Sequence, residues 1–168
     1  MVIGGQAVLL YGEPRLTRDI DITLGIGPQN LPKIKKIVRE LKLAPLVKNA
    51  DKFVTETLVF PVENKKEGIR VDFIFSYSDF EKEAIKRGRK IKIGKTPVTF
   101  ASPEDIIIYK IIAGRQRDMD DVGNILLKTR TDRKYIYKWL KIFSAGLDKN
   151  YTYIFELLIK KKLTVPNN

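Results

Sequence analysis

The sequence predicts an α/β (α+β) fold with a C-terminal helical extension, on three observations. Over residues 1–100, short apolar runs alternate with amphipathic stretches, the pattern of strands and helices that share a core. From residue 101 to 168 the apolar spacing becomes helical, which predicts a helical region packed on that core. A length of 168 residues, 43% hydrophobic and 31% charged, is enough for one domain with such an extension.

The elements follow in chain order. "MVI" reads as a short strand and "GQAVLLYG" as a short helix. "DIDITL" is a strand, and Asn30 with Pro32 opens the helix "LPKIKKIVRELKL". "KFVTETLVF" and "IRVDFIF" read as strands because β-branched and aromatic residues dominate them, with "NKKEG" as the turn between. Ser78 and Glu81 make a capping box for the helix "DFEKEAIKRG", after which "RKIKIG" and "TPVTF" form a hairpin or edge strands. "SPEDIIIYKIIAG" opens with a serine cap, a proline in its first turn and two acids that suit the helix dipole. "RDMDDVGNILLK", "DRKYIYKWLKIF" and "YTYIFELLIKKK" continue as helices; in the second of these, Tyr135, Ile136, Trp139, Leu140 and Phe143 form one apolar stripe, read as core.

The chain has neither cysteine nor histidine. Disulfides, zinc sites, thiol nucleophiles and imidazole bases are therefore excluded, and any metal must be held by oxygen, as magnesium or manganese is. No apolar run reaches the roughly 20 residues of a membrane span, and the start "MVIGGQAVLLYGEP" has no secretory pattern, so the expectation is a cytoplasmic protein with no membrane partner. A formal net charge of +12 favours polyanionic partners such as nucleotide phosphates, tRNA or other nucleic acid, although lysine-rich surfaces also serve solubility.

Candidate chemistry lies in the first half. A strand alternates its faces, so Asp19 and Asp21 point one way while Ile20 and Ile22 point the other. Asp72 in "RVDFIF" stands on the face opposite Val71 and Phe73. If the two strands are neighbours, three carboxylates converge, and a cation would hold them together at neutral pH. The bland alternatives are a solvated strand face for Asp19 and Asp21, and an ion pair with Arg70 or a lysine for Asp72. Gly4 and Gly5 allow close backbone approach by a phosphate or simply make a tight turn. Lys110 interrupts the run "IIIYKIIA", so its charge either snorkels to solvent or meets an anion.

The ordered set resembles a known signature. "GGQAVLLYGEPRLTRDIDI", a glycine pair, a spacer and an Asp-x-Asp strand, with Asp72 on a later strand, is similar to the nucleotidyltransferase superfamily that includes DNA polymerase beta. "GEPRLTRDIDI" and "SPEDIIIYKIIAGRQRDMDDV" more narrowly resemble minimal nucleotidyltransferases related to the abortive-infection toxin of type IV toxin–antitoxin systems; the similarity spans residues 2–125. The resemblance implies a mixed sheet flanked by helices, and magnesium or manganese held by Asp19, Asp21 and Asp72. It implies an NTP such as ATP, its triphosphate contacted by Gly4, Gly5, Arg15, Thr17 and Lys110. Arg115, Asp118 and Asp121 would orient the substrate or support the residues that do. The implied reaction moves an NMP to a hydroxyl of a tRNA, a protein or a small molecule, with an antitoxin or a second subunit as a further partner. Gly5 stands where the superfamily often has serine, which removes one hydroxyl from the phosphate path. The rival reading is a nucleotide- or nucleic-acid-binding module that keeps the fold without catalysis.

Overall fold

The computed structural model describes residues 1–163. The chain forms two compact units, Met1–Gln6 with Leu16–Ala101, and Ala7–Arg15 with the residues from Ser102 onward. The stretch Ala7–Arg15 thus belongs with the C-terminal helices, although it precedes the strand that carries the acids.

The first unit is built on a seven-stranded mixed sheet. Its strands are β1 (Val2–Ile3), β2 (Asp19–Thr23), β3 (Ala44–Pro45), β4 (Val59–Asn64), β5 (Ile69–Ile74), β6 (Arg89–Ile93) and β7 (Thr96–Phe100). Their spatial order is β3-β4-β5-β2-β1-β7-β6. β2 runs parallel to β5 and β1 parallel to β7, and the other neighbours are antiparallel. β6 and β7 form the expected hairpin, with β6 at the sheet edge. Its exposed Arg89, Lys90 and Lys92 discourage edge-to-edge pairing there.

Helices α1 (Gly4–Val8), α2 (Leu31–Glu40), α3 (Ala50–Thr57) and α4 (Asp79–Arg87) follow their strands. Leu31, Ile34 and Val38 recur at helical spacing along α2 and enter a core with Val54, Phe60, Val62, Val71, Phe73 and Phe75. Ile20 and Ile22 pack against the same cluster. Asp19 and Asp21 are therefore carried on the other face of β2, on a strand anchored from behind.

One expected strand is a helix. The segment "KFVTETLVF" runs as α3 to Thr57, turns at a left-handed Leu58 (φ 58°), and only then becomes β4. Strand propensity loses here to capping and burial. The Asn49 side chain accepts the Lys52 N–H at 3.1 Å, while Ala50 and Val54, one helical turn apart, are both buried. The short β3 and a single 3-10 turn at Pro28–Asn30 carried no sequence signal. Asn30 precedes α2 as expected, but the amide of its side chain donates to the Gly27 carbonyl instead of capping the helix.

The second unit contains α5 (Pro103–Ala113), α6 (Gln116–Lys128), α7 (Arg133–Leu147) and α8 (Tyr151–Leu163). Ile106, Ile107, Ile108, Ile111, Ile125, Ile136, Leu140 and Phe155 fill its interior. Of the predicted stripe on α7, Tyr135, Ile136, Trp139 and Leu140 are buried and Phe143 partly so. The acids at the start of α5 bind this unit together. Ser102 caps Asp105, whose carboxylate accepts the Tyr135 hydroxyl at 2.8 Å, and Glu104 accepts the Asp132 N–H at 3.0 Å. No helix among the described residues is long and apolar enough to cross a membrane.

Candidate active site

Strand register brings the three predicted acids to one face. In the parallel pair β2–β5, Asp21 lies opposite Asp72 and Asp19 opposite Arg70. Directly paired residues project to the same side of a sheet, so Asp19, Asp21, Arg70 and Asp72 form a two-by-two patch. Asp19 is exposed at the strand entry, while Asp21 and Asp72 are partly covered.

Gly4 meets this patch from β1's end. Its φ of 62° suits glycine, and a Cβ there would collide with the carboxylate of Asp21. The backbone therefore lies directly against that acid. Gly5 follows and is buried, and Thr17, just before β2, points its hydroxyl at the Asp19 carbonyl at 3.5 Å.

Arg70 supplies the cation within the patch. Its Nε and Nη2 donate to the two oxygens of Asp72, each at 2.9 Å. The hydrogen bonds with Asp72 push the Arg70 guanidinium above its ordinary value against a smaller opposing effect of burial, and the charges of Asp72, Asp19 and Asp21 add to the rise. The alternative partner foreseen for Asp72 is thus the one it has. Sequence reading did not give Arg70 a place in the site, though its spacing of two from Asp72 on a strand was the signal.

The far end of β2 is clamped by a buried carboxylate. Glu81 of α4 accepts the Thr23 hydroxyl at 2.9 Å and the Ser76 hydroxyl at 2.6 Å. It also takes part in the predicted cap, its N–H donating to the Ser78 hydroxyl at 3.1 Å. One side chain thereby ties the ends of both acid-bearing strands to α4, a support that the capping pattern alone did not reveal.

The remaining predicted residues gather in the second unit. Lys110 lies between Asp118 at 2.6 Å and Asp121 at 2.9 Å, and Arg15 grips both oxygens of Asp121 at 2.9 Å. Asp118 also accepts the Arg115 backbone N–H at 3.3 Å, so it caps α6, while the rest of Arg115 is exposed. Of the two fates foreseen for Lys110, it meets an anion, here carboxylates of its own unit. Burial raises the Asp121 carboxyl, but the hydrogen bonds from Arg15 and Lys110, with their charges, outweigh it and hold the group below its ordinary 3.8. A depressed folded value means that this stabilisation is complete above the unfolded value and is lost as pH falls through the folded one. The urea midpoint is accordingly expected to drop as pH falls below about 5, and to drop less in Asp121→Asn. An equal fall in both proteins would contradict this assignment.

The family model for "nucleotidyltransferase of unknown function (DUF6036)" matches residues 1–156. The chain belongs to this nucleotidyltransferase family. Its fold is similar to that of the antibiotic-resistance factor ANT(2'')-Ia, with 17% identity and a TM-score of 0.55 over 92% of this chain and 84% of that one. It is also similar to the lincosamide antibiotic adenylyltransferase LnuA in its lincomycin-bound structure, with 16% identity and a TM-score of 0.50 over 74% of this chain and 83% of the other. None of the curated proteins matches the sequence.

For this nucleotidyltransferase, the donor set suits a hard divalent cation: three carboxylates on one sheet face, the middle one pressed against a glycine backbone. Among the described residues, however, no three acidic side chains are gathered as a metal cage, and Asp72 is turned onto Arg70. The residues fit the ion in type and in face; their present orientation engages an internal cation.

Proposed function

We propose that this nucleotidyltransferase moves an NMP from an NTP to an acceptor hydroxyl, using Asp19, Asp21 and Asp72 to hold magnesium. The observation that supports it most is the pairing of Asp21 with Asp72 across parallel strands, which sets acids distant in sequence side by side. The acceptor oxygen attacks the α-phosphorus, the bond to the β-phosphate oxygen breaks, and pyrophosphate leaves. Asp72 takes the hydroxyl proton. Asp19 and Asp21, fixed on a strand whose other face is core, keep the phosphate path in register with the acceptor. Gly4 and Gly5 let the triphosphate lie close to the backbone beside Asp21. Bound divalent ions would supply the charge that activates the hydroxyl and steadies the departing pyrophosphate.

The acceptor that best suits a chain of net charge +12 is RNA, with tRNA as the form implied by the motif resemblance. The lincomycin in the LnuA structure is a small-molecule acceptor class against which this can be compared. Incubation with magnesium and each of four α-labelled NTPs, with total RNA, total protein and lincomycin offered in parallel, tests the reading. Magnesium-dependent label in the RNA is expected. Label in lincomycin alone would move the acceptor to small molecules, and no label in any acceptor would favour the non-catalytic module. A toxin role would appear as growth arrest on expression, relieved by Asp19→Asn with Asp21→Asn.

A further inference from the structure

The nucleotidyl-transfer reading gives tasks to the three acids and none to the arginine among them. Arg70 and Asp72 lie two residues apart on β5, so both side chains leave the same face, and each faces an acid of β2 across the ladder. The guanidinium fork occupies both oxygens of Asp72, one nitrogen to each at 2.9 Å. Arg70 is about half open to solvent, with 49% of its side chain exposed, whereas Asp72 has only 16% exposed. A partly covered acid is thus closed off by a cation that has room to move away.

We infer that Arg70 is a counter-cation latch, which holds Asp72 in the metal-free protein and must be exchanged for the divalent ion when the site is loaded. The inference rests on the nucleotidyltransferase reading of these acids. Two cations sharing one carboxylate at contact distance repel each other, so the ion gains Asp72 as Arg70 gives it up. Arginine suits this task better than lysine. Its planar fork satisfies both carboxylate oxygens at once, and it keeps its charge at any working pH. While it is engaged, it relieves the repulsion among Asp19, Asp21 and Asp72, so the patch stays ordered without metal. Once displaced, it stands at the edge of the same patch as a free positive charge, where it no longer competes for Asp72.

Manganese titration of nucleotide-free protein, with free Mn2+ read by electron paramagnetic resonance, tests the latch without any turnover. Arg70→Met keeps the length of the side chain and removes its charge. It is expected to bind Mn2+ about tenfold more tightly than the wild type, the effect of one like charge near the aqueous end of the dielectric range. Arg70→Lys, which keeps the charge but loses the fork, is expected to fall between the two and guards against a poorly folded methionine variant. Adding Asp72→Asn to Arg70→Met should erase the gain. The melting temperature of Arg70→Met without metal should lie below that of the wild type and rise further with Mg2+. Equal Mn2+ affinity in wild type and Arg70→Met, weakened in Asp72→Asn, would overturn the latch and leave nucleotidyl transfer standing. No Mn2+ binding by either protein would overturn both.

Discussion

Replacing Asp19 and Asp21 together by asparagine is expected to lower magnesium-dependent NMP transfer by roughly a thousandfold or more, since even residues that only support metal ligands cost 10- to 100-fold. Asparagine keeps the size and strand position of each side chain and removes its charge. The loss should fall on kcat as well as on NTP affinity, because ions held there would act on the departing pyrophosphate as well as on ground-state binding. Stability should change little or rise, because the patch loses two like charges while Arg70 keeps its bidentate partner Asp72. Transfer at the wild-type rate in this folded double variant would reject the assignment. A variant that is inactive and also unfolded would be uninformative, so circular dichroism and a urea midpoint belong to the same experiment.

The second large effect concerns the other unit. Lys110→Met should destabilise the protein by about 3 kcal/mol, the usual cost of breaking a buried ion pair by removing one partner. The side chains of Lys110, Asp118 and Asp121 are only 10%, 5% and 4% exposed, and Arg15 also holds Asp121. Methionine fills the apolar stem of the lysine, so the loss reports the stranded charge of Asp118 more than lost packing. Adding Asp118→Asn should restore part of it, since the stranded charge is then removed as well. A loss below about 1 kcal/mol in the single variant would mean that water reaches this cluster and screens it.

The acid-bearing strand and its two faces were legible because period-two alternation and the Asp-x-Asp spacing are local signals, whereas its parallel pairing with β5 was only a condition of the reading. Helices α2 and α5 were legible from other local signals, a proline in the first turn of each and, for α5, the Ser102 cap. Strand order was not, and neither was the fate of each charge. Nothing in "KFVTETLVF" announces that Asn49 caps it or that Leu58 turns left-handed. Lys110 shows the limit most clearly. An isolated lysine in an isoleucine run demands an anion, but only the fold shows that Asp118 and Asp121 are the ones that meet it. Arg70 was visible beside Asp72 in sequence, yet its electrostatic link to Asp19 and Asp21 depends on β5 pairing with β2. Family membership fixes the general chemistry, and the charges around the patch define what is particular to this chain.

The most direct measurement is the anomalous scattering of manganese in crystals grown with Mn2+ and a non-hydrolysable NTP. Manganese is expected on oxygens of Asp19, Asp21 and Asp72 together with the nucleotide phosphates, with Arg70 parted from Asp72. Manganese bound away from β2 and β5, or a bound nucleotide beside an Asp72 still closed by Arg70, would contradict it.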